Sequence, residues 1–152
     1  MIDLHTHILP GLDDGASSWE DALEMAQTAA ETGTRILAAT AHSNIPGQDL
    51  SAWVGRYRRQ FETFRRLLEQ EKIPLQLASG MEIFAGADLA GRLRRGELLT
   101  INKTRYPLVE FAMDTEAFLV YRTADRLLEE GYIPFLALPE RYRCVQRTPE
   151  HV

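Results

Sequence analysis

The chain has 152 residues, 45% of them apolar, and carries 17 Lys and Arg against 22 Asp and Glu for a net charge of -5. This composition excludes a disordered or fibrous chain, and the acidic balance argues against a general nucleic-acid binder, whose phosphate contacts need a basic excess. The single cysteine, Cys144, excludes an internal disulfide and a thiolate zinc cluster, so any metal must sit on histidines and carboxylates.

A chain of this length hides roughly two-thirds of its unfolded surface, so one domain with its own core, spanning 1–152, is expected. The opening MIDLHTHILPGLDDG lacks a basic segment followed by an apolar stretch, and nowhere do apolar residues run on long enough to span a bilayer. A cytoplasmic protein without stable membrane insertion is expected, although docking to a membrane-bound partner is left open.

Ile2 to His7 reads as a short strand. Ser17 then opens a helix, with Ser17 and Glu20 at the spacing of a capping box and Ala22, Met25, Ala26 and Ala29 on one face; Gly33 stops it. Arg35 to Thr40 is an apolar run of strand length. From Asp49 to Lys72 a long helix places Trp53, Tyr57, Phe61, Phe64, Leu67 and Leu68 along one stripe, and Pro74 follows. Next come a strand at Leu75 to Ile83, a short helix near Ala87 to Arg95 and a strand at Tyr106 to Phe111. A helix from about Thr115 to Glu130 ends at Gly131, before a last strand at Ile133 to Leu138. Strands alternating with helices predict an α/β fold with about five parallel strands and flanking helices.

The chemistry gathers where strands end. On a strand, residues two apart share a face, so His5 and His7 can hold one ion. Asp13 and Asp14 follow in the glycine-bounded turn GLDDG, and His42, Glu82 and Glu110 close the second, third and fourth strands. Singly, His42 reads as a hydrogen-bonded structural histidine, Glu82 as an exposed acid and the aspartates as turn formers. Together, nitrogen and oxygen donors at one end of successive strands predict a metal site. Arg56, Arg58, Arg59, Arg65 and Arg66 read as a solvated face, because their aromatic neighbours occupy the buried stripe. Cys144 has no Cys-x5-Arg phosphate loop around it and reads as a small, partly buried residue.

MIDLHTHILPGLDDGA, with TAHS at 40–43, GMEIF at 80–84, YPLVEF at 106–111 and LPERY at 138–142, closely resembles the bacterial capsule-locus tyrosine phosphatases of CpsB/CapC type, within the PHP superfamily. The resemblance covers nearly all of the chain. It implies a distorted (β/α)7 barrel with up to three divalent ions, manganese being expected and magnesium, iron or zinc being alternatives. The implied reaction is phosphotyrosine hydrolysis on the tyrosine-rich tail of a kinase that controls capsule or exopolysaccharide synthesis. By the same resemblance His5, His7 and Glu110 hold one ion, Glu110 bridges to a second held also by Glu82, and Asp14 and His42 hold the third. Arg141 faces the phosphate, where a guanidinium can make bidentate, charge-assisted contacts.

Three departures from the family pattern stand out. Family members read HPER where this chain has LPER, so Leu138 replaces a metal-binding histidine. TPHH becomes TAHS, with Ala41 and Ser43 in the variant places. Family members are also longer, and their distal part supplies further ligands, so the chain is expected to lack the carboxyl-terminal part of the barrel, to expose sheet edges and to self-associate through them. Two other readings stay open: a catalytically impaired relative that binds a metal or a partner, and a phosphatase for small molecules.

Overall fold

A computed structural model describes residues 1–86 and 88–151. It contains β1 (Ile2–Thr6), α1 (Trp19–Glu31), β2 (Ile36–Ala39), β3 (His42–Ser43), α2 (Leu50–Gln70), β4 (Gln76–Ser79), β5 (Glu82–Phe84), α3 (Leu89–Arg94), β6 (Leu108–Glu110), α4 (Ala117–Glu129), β7 (Phe135–Leu136) and α5 (Arg143–Arg147). Every strand pairing is parallel. This is a mixed α/β fold, as the alternation of elements predicts.

One predicted strand comes out divided, and another is continued past its predicted end. The run from Arg35 is continued by β3, and the run from Leu75 is broken into β4 and β5. Ladders form as β1-β2-β4 and as β3-β5-β6-β7. Ala39 pairs with Ser79 and His42 with Glu82 in an unchanged register, so the two ladders are one strand pair interrupted at a single place. The chain therefore supplies five strand runs, neighbours in space in the order in which they occur in sequence.

The interruption has a physical cause. Rungs run from Gln76 N–H to the Arg35 carbonyl (2.9 Å) and resume with Glu82 N–H to the Ala41 carbonyl (3.2 Å). Between them the buried Tyr57 hydroxyl accepts from Gly80 N–H at 2.9 Å and donates to the Ala39 carbonyl at 2.9 Å. A Cβ at position 80 would lie 3.0 Å from Thr40 Cγ2, so this crossing favours glycine.

Helix ends follow local chemistry, with one correction. The cap of α1 is Ser18 rather than Ser17: Ser18 Oγ accepts from Asp21 N–H at 3.1 Å, while the Asp21 carboxylate accepts from Ser17 N–H at 2.8 Å. The cap thus falls one residue later than predicted, and the Asp21 carboxylate returns to Ser17 rather than to the cap residue itself; Ala22 and Ala26 lie inward. Asp49 caps α2 through Ala52 N–H at 3.0 Å. Trp53, Tyr57, Phe64 and Leu68 bury the predicted stripe against Ile8, Leu37, Met81, Ile83 and Val109. Arg56, Arg58, Arg59, Arg65 and Arg66 are exposed, with Arg65 paired to Glu62 and Glu69.

The short helix is α3, and Ala87, its predicted first residue, lies outside the described residues. The last strand is shorter than predicted, since Leu138 turns to a left-handed backbone (φ 44°) before Pro139. The helix α5 was not predicted. Cys144 within it is half-buried, as its sequence context suggests. Among the described residues β1 and β7 pair on one side only, with Ile2 and Phe135 exposed at those edges. No helix among the described residues is long and apolar enough to cross a membrane.

Candidate metal centre

The alternation of β1 brings His5 and His7 to one face, with their Nε2 atoms 3.1 Å apart. The turn that follows orients the second ring. Asp13 Oδ2 lies 2.8 Å from His7 Nδ1 and accepts from His42 N–H at 2.8 Å, and its Oδ1 accepts from Gly15 N–H at 3.1 Å. With Nδ1–H donating to Asp13, Nε2, the atom that faces His5, is the one whose deprotonation would free a lone pair for an ion. Burial opposes ionisation of Asp13, but the His7 ring and the amides of His42 and Gly15 hold its carboxyl below the usual range.

Glu82 is the hub. Its side chain is 2% exposed, with Oε1 3.1 Å from His5 Nε2 and Oε2 3.0 Å from His7 Nε2 and 2.9 Å from His42 Nδ1. Burial would raise this carboxyl, but the imidazoles of His42, His5 and His7 hold it far below the usual range. Even so, Oε2 forms no well-aligned hydrogen bond. Close approach without alignment is what donors aimed at a shared central point produce, rather than donors aimed at one another.

Glu110, at the end of β6, reaches His42 Nδ1 at 3.2 Å, and Asp14, 84% exposed, stands 3.6 Å from His42 Nε2. The contacts to Glu110 and Glu82 outweigh burial and push His42 up to about 10. Burial lowers His7, but Asp13 and Glu82 more than offset it and bring it to about 9. Protons thus hold together carboxylates that a divalent cation would hold at higher pH.

Three overlapping donor groups result: His5, His7 and Glu82; His7, Asp14 and His42; and His42, Glu82 and Glu110. All six expected metal-binding residues are brought together. Their grouping differs from the implied one in that Glu82, not Glu110, stands with His5 and His7. Imidazole nitrogen with carboxylate oxygen suits manganese, iron or zinc, so the residues present fit a divalent ion.

These residues open onto a cavity of about 580 Å³ that Phe111, Met113, Leu138, Arg141 and Tyr142 also line. The Arg141 side chain forms no hydrogen bond or ion pair with any described residue, and its guanidinium is available to an anion. Leu138 adds only hydrocarbon to the wall, from a left-handed backbone that costs a leucine about 1–2 kcal/mol. The altered Ser43 donates to the Glu82 carbonyl at 3.1 Å, and Ala41 is buried in the core. A larger groove of about 890 Å³ between α3 and α4 mixes Arg122 and Arg126 with Asp125 and Glu129, and none of the donor groups among the described residues lies there.

Sequence reasoning took Asp13 as a turn former or oxygen donor and Gly15 only as a bound of the GLDDG turn, and passed over the part both play in orienting His7. A Cβ at Gly15 would overlap the His7 carbonyl oxygen and Cβ. Gly15→Ala is therefore expected to displace His7 and weaken Mn2+ binding about tenfold or more, as loss of an orienting partner does, in a titration of the purified protein. An unchanged affinity would show that the turn does not set the ring.

A family profile described as "Capsular polysaccharide synthesis, CpsB/CapC" matches residues 1–152. The tyrosine-protein phosphatase YwqE of Bacillus subtilis (strain 168) is 37% identical over 155 residues, covering 98% of this chain and 58% of that protein. The tyrosine-protein phosphatase CpsB of Streptococcus agalactiae serotype V is 27% identical, covering 100% of this chain and 62% of that protein. A solved structure from work on YwqE of Bacillus subtilis and CpsB of Streptococcus pneumoniae, described as unique metal-dependent tyrosine phosphatases, superposes with a TM-score of 0.88 at 36% identity. It covers 99% of this chain and 60% of that one. The chain thus spans about three-fifths of the length of the relatives it matches.

Proposed function

The chain belongs to the CpsB/CapC capsular polysaccharide synthesis family, and from that membership and the donor set gathered around Glu82 we propose that it is a metal-dependent protein-tyrosine phosphatase. Its substrate would be the phosphorylated tyrosine-rich tail of a bacterial kinase in capsule or exopolysaccharide synthesis, met in the cytoplasm. Its five strand runs would form part of a distorted (β/α)7 barrel of PHP type. The observation that carries the reading is the Glu82 carboxylate, buried among three imidazoles while its Oε2 has no aligned hydrogen bond.

His5, His7, Asp14, His42, Glu82 and Glu110 would hold the ions, with manganese expected. Bound there, divalent ions lower the pKa of a coordinated water and stabilise charge on phosphoryl oxygens. Asp13 keeps the His7 Nε2 lone pair directed into the site. Arg141 can take two phosphate oxygens, orienting the ester and offsetting its charge. Phe111 and Met113, on the same wall, offer apolar surface to a phenyl ring.

The test measures metal content and phosphotyrosine-peptide hydrolysis on one purified sample. His5→Ala with His7→Ala is expected to remove most bound metal and the hydrolysis with it while the fold stays intact, and Arg141→Ala is expected to lower hydrolysis without removing metal. Equal metal in wild type and the double variant would sink the assignment. One observation favours the second reading, an impaired relative that binds metal or a partner without turnover: Leu138 brings no donor to the cavity wall. A wild-type chain that binds manganese and leaves phosphotyrosine intact would support that reading.

A further inference from the structure

The arm that carries Arg141 is attached to the rest of the site by a buried group outside the proposed ligand set. Between β6 and β7 the rungs run from Phe135 N–H to the Pro107 carbonyl and from Ala137 N–H to the Val109 carbonyl, both 2.9 Å. The next rung would join Phe111 N–H directly to the Ala137 carbonyl. Instead Phe111 N–H donates to the Tyr142 hydroxyl at 3.2 Å, and that hydroxyl donates to the Ala137 carbonyl at 2.6 Å. The ring packs edge-on against Phe111, with centroids 6.0 Å apart, and the residue is 2% exposed.

An oxygen inserted in a rung is a spacer. With these two legs and a roughly tetrahedral oxygen, the amide nitrogen and the carbonyl oxygen stand roughly 4.7 Å apart instead of about 2.9 Å. The residues on either side of the opened rung belong to the site: Glu110 precedes Phe111, and Leu138 follows Ala137 and leads through the turn Pro139–Arg141 to Arg141. Tyr57 stands in the same relation to Ala39 and Gly80, ahead of His42 and Glu82. The fold thus uses one device twice, each time where the sheet must open towards its site.

We propose that Tyr142 is a positioning residue whose hydroxyl, by holding β6 and β7 apart, sets the place of the Arg141 guanidinium relative to Glu110. Burial pushes the hydroxyl up to about 12, so it stays protonated and able to donate at neutral pH. Without that oxygen the rung either closes directly, drawing the arm inward, or leaves a buried amide and a buried carbonyl without partners. Both move Arg141. A second tether, from Arg143 N–H to the Met113 carbonyl at 2.8 Å, keeps the arm attached, so the change is a displacement rather than a release.

The inference rests on the reading of Arg141 as the phosphate contact, and the experiment separates the two. Inorganic phosphate is titrated into the Mn2+-loaded chain as wild type, Tyr142→Phe, Arg141→Ala and the double variant, with Mn2+ affinity and melting temperature measured on each. Tyr142→Phe is expected to weaken phosphate binding about tenfold with Mn2+ affinity held within about twofold, and the double variant is expected to bind no worse than Arg141→Ala, because the two changes act through one guanidinium. p-Aminophenylalanine at position 142 restores an atom that can donate at the rung and is expected to bring affinity back to within about twofold of wild type. It also serves as the second variant should Tyr142→Phe not fold. Phosphate binding unchanged in Tyr142→Phe, losses that add fully to those of Arg141→Ala, or no rescue by the amine would each overturn the proposal while leaving the function intact. Unchanged binding in Arg141→Ala, or no phosphate binding by the loaded wild type, would overturn the phosphate reading and this inference together.

Discussion

Replacing Glu82 with glutamine is expected to weaken Mn2+ binding on the order of a hundredfold or more, beyond the 10–100-fold range of residues that merely orient ligands. The side chain is 2% exposed and lies within 3.1 Å of all three imidazoles, and two of the three donor groups include it. Glutamine keeps the shape but loses the charge and puts an N–H₂ where one oxygen stood. Glu110, 31% exposed and a member of one group only, should tolerate the same change with a smaller loss. Calorimetric titration, together with the Mn2+-induced rise in melting temperature, measures both. Near wild-type affinity in Glu82→Gln would remove Glu82 from the centre of the site.

Raising the pH should act in opposite directions on the metal-free and metal-loaded protein. His7 and His42 are raised from an ordinary 6.5 to about 9 and about 10. Groups raised in the folded state contribute their stability in full below the unfolded value and lose it as pH climbs through the folded one. The metal-free protein should therefore lose melting temperature from about pH 6.5 to pH 9–10. Glu82, held below its ordinary 4.5, acts conversely, contributing above that value and losing its contribution as pH falls through the folded one. Metal-free stability should thus peak between these ordinary values. Mn2+ needs deprotonated imidazoles, so its apparent affinity should rise across the alkaline window, by up to about tenfold per pH unit for each proton displaced. Melting scans with chelator and with Mn2+ at pH 6, 7.5 and 9 test this. A chelated protein that gains stability across the window would refute the coupling between protons and metal at these imidazoles.

Much of this was legible in the sequence because the signals were local. His5 and His7 share a face by strand periodicity alone, and the α2 stripe is a 3.6-residue repeat whose strongest members, Trp53, Tyr57 and Phe64, are the most deeply buried. What stayed hidden depends on contacts across the chain. Nothing in RILAATAHS tells that the ladder resumes at His42, because the break before it is made by a hydroxyl from α2, many residues later. The PERY turn likewise reads as a turn, but the bond from Tyr142 back to Phe111 and Ala137 belongs to the tertiary fold. The cap of α1 fell one residue away because Ser17 and Ser18 both have a carboxylate three residues on, and only the packing of Ala22 and Ala26 chooses between them.

The sequential order of the strand runs also imposes a timetable on the site. As the chain leaves the ribosome, β1, the GLDDG turn and β3 deliver His5, His7, Asp13, Asp14 and His42 while α2 is still to be made. Until Glu82 arrives with β5, those rings lack the one carboxylate that approaches all three of them, and Glu110 comes later still. An ion meeting the nascent chain early finds three histidines and two aspartates, a loose and unselective set. Tight capture therefore waits for β5 and β6 to pair, by which time the core beneath the site has been laid down strand by strand.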